Sequence, residues 1–316
     1  MTKQERALYE RMRDVPVQKA LAASKAGMDA MSERQFREEN AIRAASTSRT
    51  APVYSALRDA IASRPEFAGV MNALKLARSK PDGRPLEPIK APPSPKVPRL
   101  RLGSMHLVDT PPFQAQTWQA CSFSGGNESV SDDVPNLSAD GSSGNMSFTI
   151  EGGGLGQDNA SSVSCWSAVG QAYTFPAELL DVETGGALLR FSANPSFTWS
   201  GKWSSNWWRL ASGNIWIGQV VNRFDQNWVF LDNPVVTQTS LISWNDYNFA
   251  DQTTQSAESS AFGLTSWVFV QPNFNYFAWV WMGASAFGDT LEWTPGFSSS
   301  EAKMNATCSQ IILDTF

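Results

Sequence analysis

Four tryptophans, Trp199, Trp203, Trp207 and Trp208, fall within ten residues of the run Phe197-Thr-Trp-Ser-Gly-Lys-Trp-Ser-Ser-Asn-Trp-Trp-Arg-Leu210. Indole faces beside the hydrogen-bond donors of Lys202, Asn206 and Arg209 would make a flat stacking surface, suited to sugar rings or to anchoring a protein partner. A strand sends neighbouring side chains to opposite faces, so one of Trp207 and Trp208 is expected to face outward if the segment is a regular strand. These seven residues form the candidate binding set. The competing reading has both faces covered, one by an opposing sheet and the other by loops or by the N-terminal helices.

Catalytic constellations are sparse. His106 is the single histidine, so a Ser-His-Asp or Cys-His mechanism would need it as the base, and a site with several histidines around a metal is excluded. It is read as a structural or solvated residue, and no catalytic residue, metal site or cofactor is assigned. Cys121, Cys165 and Cys308 lack CxxC spacing, are odd in number and sit in strand-like apolar contexts, which reads as buried free thiols. Paired carboxylates could hydrolyse glycosides without a histidine, and Glu258, Glu292, Asp225 and Asp246 are the imaginable members. Solubilising surface charge explains all four more simply.

Gly152-Gly-Gly-Leu-Gly156 follows a predicted strand, but no helix opens after it and no lysine follows, so it reads as a hairpin or edge loop and not as a phosphate cradle. Asp132, Asp133 and Asp140 lie in a Ser/Asn/Gly-rich stretch whose spacing matches no dedicated calcium loop.

The charge distribution splits the chain. Residues 1–112 carry 20 Lys and Arg against 12 Asp and Glu, a net +8, whereas residues 113–316 carry 5 against 18, a net −13. All 13 tryptophans lie in the acidic part. The bases of the first part alternate with acids, as on a solvated helix surface, which disfavours nucleic acid as the partner.

The elements that must position these residues change character along the chain. Residues 2 to about 45 are rich in Ala, Glu, Arg, Lys, Gln and Met, which predicts helix with a narrow apolar stripe through Leu8, Met12, Val15, Leu21, Met28 and Met31. A stripe that narrow borrows its partner surface. Ser46 to Pro52 predicts a break, with Pro52 in the first turn of a second helix to about Ser63 and a third helix following to about Lys80. Nine prolines between Lys80 and Pro112 predict an extended, semi-rigid spacer.

Beyond the spacer the period falls to two. Met146, Phe148 and Ile150 alternate with Ser147, Thr149 and Glu151 as in a half-buried strand, and about ten such runs occur between 115 and 313, the last over 304–313. Glu183–Gly186, Ala211–Asn214 and Asp232–Pro234 read as turns between them. Tyr276–Met282 is apolar on both faces, which predicts a central strand or one whose second face meets a partner.

The expected architecture is mainly β: an antiparallel β-sandwich or jelly roll of about ten strands over residues 105–316, preceded by a basic helical docking region (1–80) and a Pro-rich linker (81–104). The expected function is non-enzymatic. The sandwich recognises a carbohydrate or protein surface, and the helices tether it to a larger assembly. The alternatives are a self-assembling jelly-roll coat or shell subunit, hence a homo-oligomer, a membrane-active β toxin and a glycoside hydrolase. A membrane is a partner only for the toxin. The charged N-terminus and the absence of a long apolar run predict a cytoplasmic product as synthesised, with later export or assembly into a particle.

Overall fold

The computed structural model describes residues 3–13, 16–62, 106–124, 136–153, 160–177, 180, 185–205, 210–247, 252–288 and 298–315. The expected third helix, the Pro-rich linker and Asn206, Trp207, Trp208 and Arg209 lie outside these residues. Among the described residues two helices, α1 (Lys3–Arg13) and α2 (Val17–Ala62), precede fourteen strands. These are β1 (His106–Asp109), β2 (Gln114–Ser124), β3 (Asn136–Asp140), β4 (Asn145–Gly152), β5 (Ala160–Thr174), β6 (Ala187–Ala193) and β7 (Ser196–Ser205). The series continues with β8 (Leu210–Phe224), β9 (Phe230–Tyr247), β10 (Thr253–Ser259), β11 (Leu264–Val270), β12 (Asn275–Gly288), β13 (Ser298–Thr307) and β14 (Ile311–Thr315).

All strand pairings are antiparallel, in three sheets. The first sheet has the order β10-β7-β13-β4-β3, the second β2-β5-β12-β8-β9 and the third β1-β14-β6-β11. Eight strands in chain order, β4, β5, β7, β8, β9, β10, β12 and β13, pass between the first two sheets so that β10-β7-β13-β4 faces β5-β12-β8-β9. That winding is two interlocked Greek keys, the jelly roll. The third sheet is inserted into it: β6 lies between β5 and β7 in sequence, β11 between β10 and β12, and β1 and β14 flank the whole.

Alternation along β12 shows how the layers are filled. Val280, Met282, Ala284 and Ala286 point into the core against Met146, Phe148 and Ile150 of β4 and Ala302, Met304 and Ala306 of β13. Tyr276 and Ala278, on the same side, meet the third sheet through Leu189, Phe191, Val268 and Leu313. Phe277, Trp279 and Trp281 point the other way, onto Ala20 and Met28 of α2 together with Trp166 and Trp216. All fourteen residues of β12 are buried, so this strand is central and its second face is covered by a helix.

The long helix is continuous where a break is expected at Ser46–Pro52. A proline removes one i→i−4 bond at a cost of about 3 kcal/mol, which a 46-residue helix accommodates among Ala, Arg and Ser neighbours. Pro16 opens α2, its carbonyl accepting from the backbone N–H of Ala20 (3.1 Å). Four further expectations are corrected. Ala211–Asn214 is not a turn but the start of β8, and Gly213 is there because any Cβ would lie 2.3 Å from the Trp244 ring. Asp232–Pro234 lies within β9, where the register with β8 slips between Val221 and Arg223. A proline without an N–H is tolerated there because β9 is an edge strand and the pairing is irregular. Gly152 does not open a hairpin, since β4 and β5 belong to facing sheets. The run 304–313 is two strands, β13 and β14, parted at Cys308–Gln310.

Cys165 and Cys308 are buried free thiols, but Cys121 is exposed on β2. Burial pushes the Cys308 thiol up to about 12 and raises that of Cys165 further. No helix among the described residues is long and apolar enough to cross a membrane.

Candidate functional site

The tryptophans predicted to face a ligand divide by strand parity. On β7, Phe197, Trp203 and the half-buried Trp199 belong to the sandwich core. Trp203 stacks on Trp244 with ring centroids 5.2 Å apart and planes 7° from parallel, and Trp244 donates its indole N–H to the Ser300 hydroxyl (3.0 Å). Trp203 is therefore buried and Trp199 half-buried against the core, so these two do not form an exposed platform. The reason is that residues two or four apart on a strand share one face, and here that face is the inner one. Lys202, half-buried, lies on the opposite face of β7, in register with Glu301 of β13.

A different tryptophan cluster sits on the outer face of the β2-β5-β12-β8-β9 sheet, and it grips α2. Trp279 donates its indole N–H to the Ser24 hydroxyl (2.7 Å) and to the Asn222 amide oxygen (2.8 Å), and Ser24 donates in turn to that oxygen. Two helical turns on, Ser32 accepts the indole N–H of Trp166 (2.7 Å). Gln116 donates to the Leu21 carbonyl (2.9 Å), Lys25 to the Thr117 carbonyl (3.3 Å), and Phe36 meets Trp118 edge-on. Gly27 completes the fit, because a Cβ there would lie 2.5 Å from the Phe230 ring. Ser24, Met28 and Ser32 are spaced by four residues, which places them on one helix face over about two turns. The narrow stripe seen in the sequence has found its partner surface in the chain's own sheet. Ser24 and Ser32 were missed as site residues because isolated serines in a helix give no amphipathic signal.

The outer face of the third sheet is where large apolar side chains meet solvent. Trp267 is 45% exposed and Phe269 40%, two residues apart on β11, with Val108 exposed on β1 across the sheet. One rung runs His106, Asp314, Arg190, Trp267 from β1 to β11. Arg190 donates to Asp314 Oδ2 through Nη2 (2.6 Å) and Nε (3.1 Å), and His106 Nδ1 lies 2.6 Å from Oδ1. The single histidine is thus a partner of an ion pair at a sheet edge. Burial would raise the Asp314 carboxyl, but the hydrogen bonds from Arg190 and His106 outweigh it and hold it below the ordinary carboxylate value.

A carboxylate with a lowered folded-state pKa stabilises the fold above its unfolded value near 3.8, and that contribution is lost as pH falls through the folded value. Asp314→Asn is therefore expected to lower the thermal midpoint at pH 7, and the gap to the unmodified protein should close as the pH is taken below about 3.8. Thermal unfolding at pH 7, 4 and 2.5 checks this; a gap independent of pH would remove the charge from the explanation.

The three imaginable glycosidase carboxylates among the described residues lie on separate elements. Asp225 caps the turn before β9, its Oδ1 accepting from the N–H groups of Asn227 and Val229 (both 2.8 Å), while Asp246 is near the far end of that 18-residue strand. Glu258 is on β10 of the facing sheet, and Glu292 lies outside the described residues. Of the candidate calcium ligands, Asp132 and Asp133 lie outside them too, while hydroxyl hydrogen bonds from Ser142 and Ser143 lower the Asp140 carboxyl.

The fold and this arrangement define a jelly-roll sandwich with a helix bound on one outer face. No protein-family model matches the chain, and no curated protein matches it. Among solved structures, the chain is compared with one from the structure of infectious bursal disease virus Gx strain, at 9% identity and a TM-score of 0.10. The alignment covers 73% of this chain and 45% of that one. A similarity that low carries no argument about fold or function.

Proposed function

We propose that this chain is a non-enzymatic structural subunit that assembles with further copies of itself through the outer surfaces of its jelly roll. The observation that carries this reading is where the remaining exposed apolar side chains lie. Trp267, Phe269 and Val108 occupy the outer face of the third sheet, Val229, Leu231 and Val236 the β8–β9 turn and edge strand, and Ile42 the long helix. Exposed apolar groups on several separate elements suit a subunit with several neighbours, whereas a ligand-binding module concentrates them in one concave site. The β8–β9 tip is also pre-shaped: Trp228, at φ 63°, buries its ring against Phe224 and holds Val229 outward. In the same reading, the tryptophan-rich face is a seat for the chain's own helix and no longer a surface for a glycan.

Light scattering and sedimentation of the purified protein over a wide concentration range test the proposal. The expected species is many times heavier than 34.6 kDa, growing with concentration. A 34.6 kDa monomer at every concentration would overturn it.

A further inference from the structure

We infer that the β8–β9 tip of one copy seats in the groove beside α1 of the next, a head-to-tail contact between identical chains. The inference rests on the assembly reading and names one of its contacts. An open groove of about 770 Å³ runs between α1 and the start of β2, with Ala7, Glu10 and Arg11 of the helix on one side and Pro112, Gln114 and Gln171 of the sandwich on the other. The helix that walls it is anchored. Met12 is fully buried among Leu107, Tyr173 and Phe175, and Arg13 Nη2 lies 3.3 Å from Oδ1 of the buried Asp109. The volume falls within the roughly 300–1,000 Å³ of sites that enclose a compact ligand. Gln114 and Gln171 carry amides that both donate and accept, and Ala7 and Pro112 add apolar surface, so the groove suits a turn of polypeptide.

The β8–β9 tip is such a turn. Val229 and Leu231 are exposed on it, beside the exposed amides of Gln226 and Asn227. It is also tied down from the neighbouring β11–β12 turn: Asn275 donates to the Asp225 carbonyl (2.9 Å), Gln226 donates to Asn273 Oδ1 (3.2 Å), and the Arg223 guanidinium lies 5.2 Å from the centre of the Phe274 ring. A tip ordered in advance loses little freedom on binding, which favours association.

The register leaves a second copy as the occupant. Thr174, Asn275 and Phe224 form one rung across β5, β12 and β8, and the tip follows directly at Asp225. Gln171 is three residues back from that rung on β5, and Gln114 of β2 pairs with Gly170. Groove and tip therefore lie at the same end of one sheet but on opposite sides of β12, with β2 and β8 three strand spacings, about 14 Å, apart. A tip tied in place does not cross its own sheet, so the one that enters this groove belongs to a neighbour. Because the two surfaces differ, the contact is heterologous and repeats from copy to copy around a ring or along a filament. The signs of charge agree, since α1 ends in Arg11 and Arg13 while Asp225 and Asp232 flank the tip. These groups keep the partners they have within the chain, so their field steers the approach and the tip supplies the contact.

Two variants with complementary defects test the contact. Val229→Lys spoils the tip and leaves the groove, whereas Ala7→Trp fills the groove and leaves the tip; both positions are exposed, so the thermal midpoint should not change. In sedimentation each variant alone should associate at least tenfold more weakly than the parent. Mixed in equal amounts, the two should associate with each other at near-parental strength, because each supplies the half that the other lacks. Glu10→Trp, which fills the same groove, replaces Ala7→Trp if the latter lowers the midpoint. If the parent assembles but either variant assembles as before, or if the mixture stays as weak as its components, this contact is wrong and the assembly reading stands. If the unmodified protein remains monomeric, the assembly reading falls and takes this contact with it.

Discussion

Trp279→Ala is expected to destabilise the protein by about 4 kcal/mol, the middle of the range for removing a buried aromatic ring from a well-packed core. Trp279 lies at the middle of the central strand β12, stacked on Phe277 at 4.0 Å with the two planes 3° apart. Neighbouring strands β5 and β8 fix the backbone on both sides, so the structure has little freedom to collapse into the space the indole leaves. The indole N–H also joins Ser24 of the helix to Asn222 of β8, and its loss leaves two buried polar groups short of a donor. Trp279→Phe separates these contributions. It keeps most of the ring and removes only the N–H, so it should cost about 1–3 kcal/mol. Chemical denaturation of both variants measures the difference; a Trp279→Ala protein within 1 kcal/mol of the parent would mean that the helix and the sheet do not share this core.

Met28→Asp tests the same interface from the helix side and should release α2 from the sheet. Met28 is fully buried, packed with Ala20 against the outer-face cluster that includes Trp166, Trp216 and Trp279. A carboxylate placed there has no cationic partner and costs several kcal/mol, enough to undock a helix held by one face. The sandwich core between the facing sheets draws nothing from α2, so undocking should leave that core folded. The expected result is protease cleavage within residues 17–42, a resistant fragment beginning near His106, and a red shift of tryptophan emission as the outer-face indoles meet water. A variant indistinguishable from the parent in all three would show that α2 is not seated on this sheet.

These two variants also mark where the sequence was legible. The alternation in β4 and β6 was readable because one face of each strand is more polar than the other. The central place of β12 was readable because a strand apolar on both faces has to be covered twice. Strand β10, Thr-Thr-Gln-Ser-Ala-Glu-Ser, was not, since an edge strand with most of its residues exposed has no hydrophobic period to detect. Glycine and proline misled where packing, and not turning, had selected them: Gly213 makes room for the Trp244 ring, and Pro234 falls in an irregular part of an edge.

The residue pattern by itself determined a mainly β architecture with antiparallel strands, a helical N-terminal region and a central strand buried on both sides. Each of these follows from periodicity and local propensity along the chain. Only the tertiary structure decided which tryptophans are spent inside. Strand parity says that Trp199 and Trp203 share a face, but not whether that face meets another sheet or water. Likewise the stripe on α2 announced a need for a partner surface without saying where it lay. The answer depended on the jelly-roll winding, which brings Trp166, Trp216, Trp279 and Trp281 from three strands distant in sequence onto one face, with serines two turns apart on the helix to take two of their N–H groups. Such matching is a property of surfaces assembled from separate segments, and no local pattern encodes it.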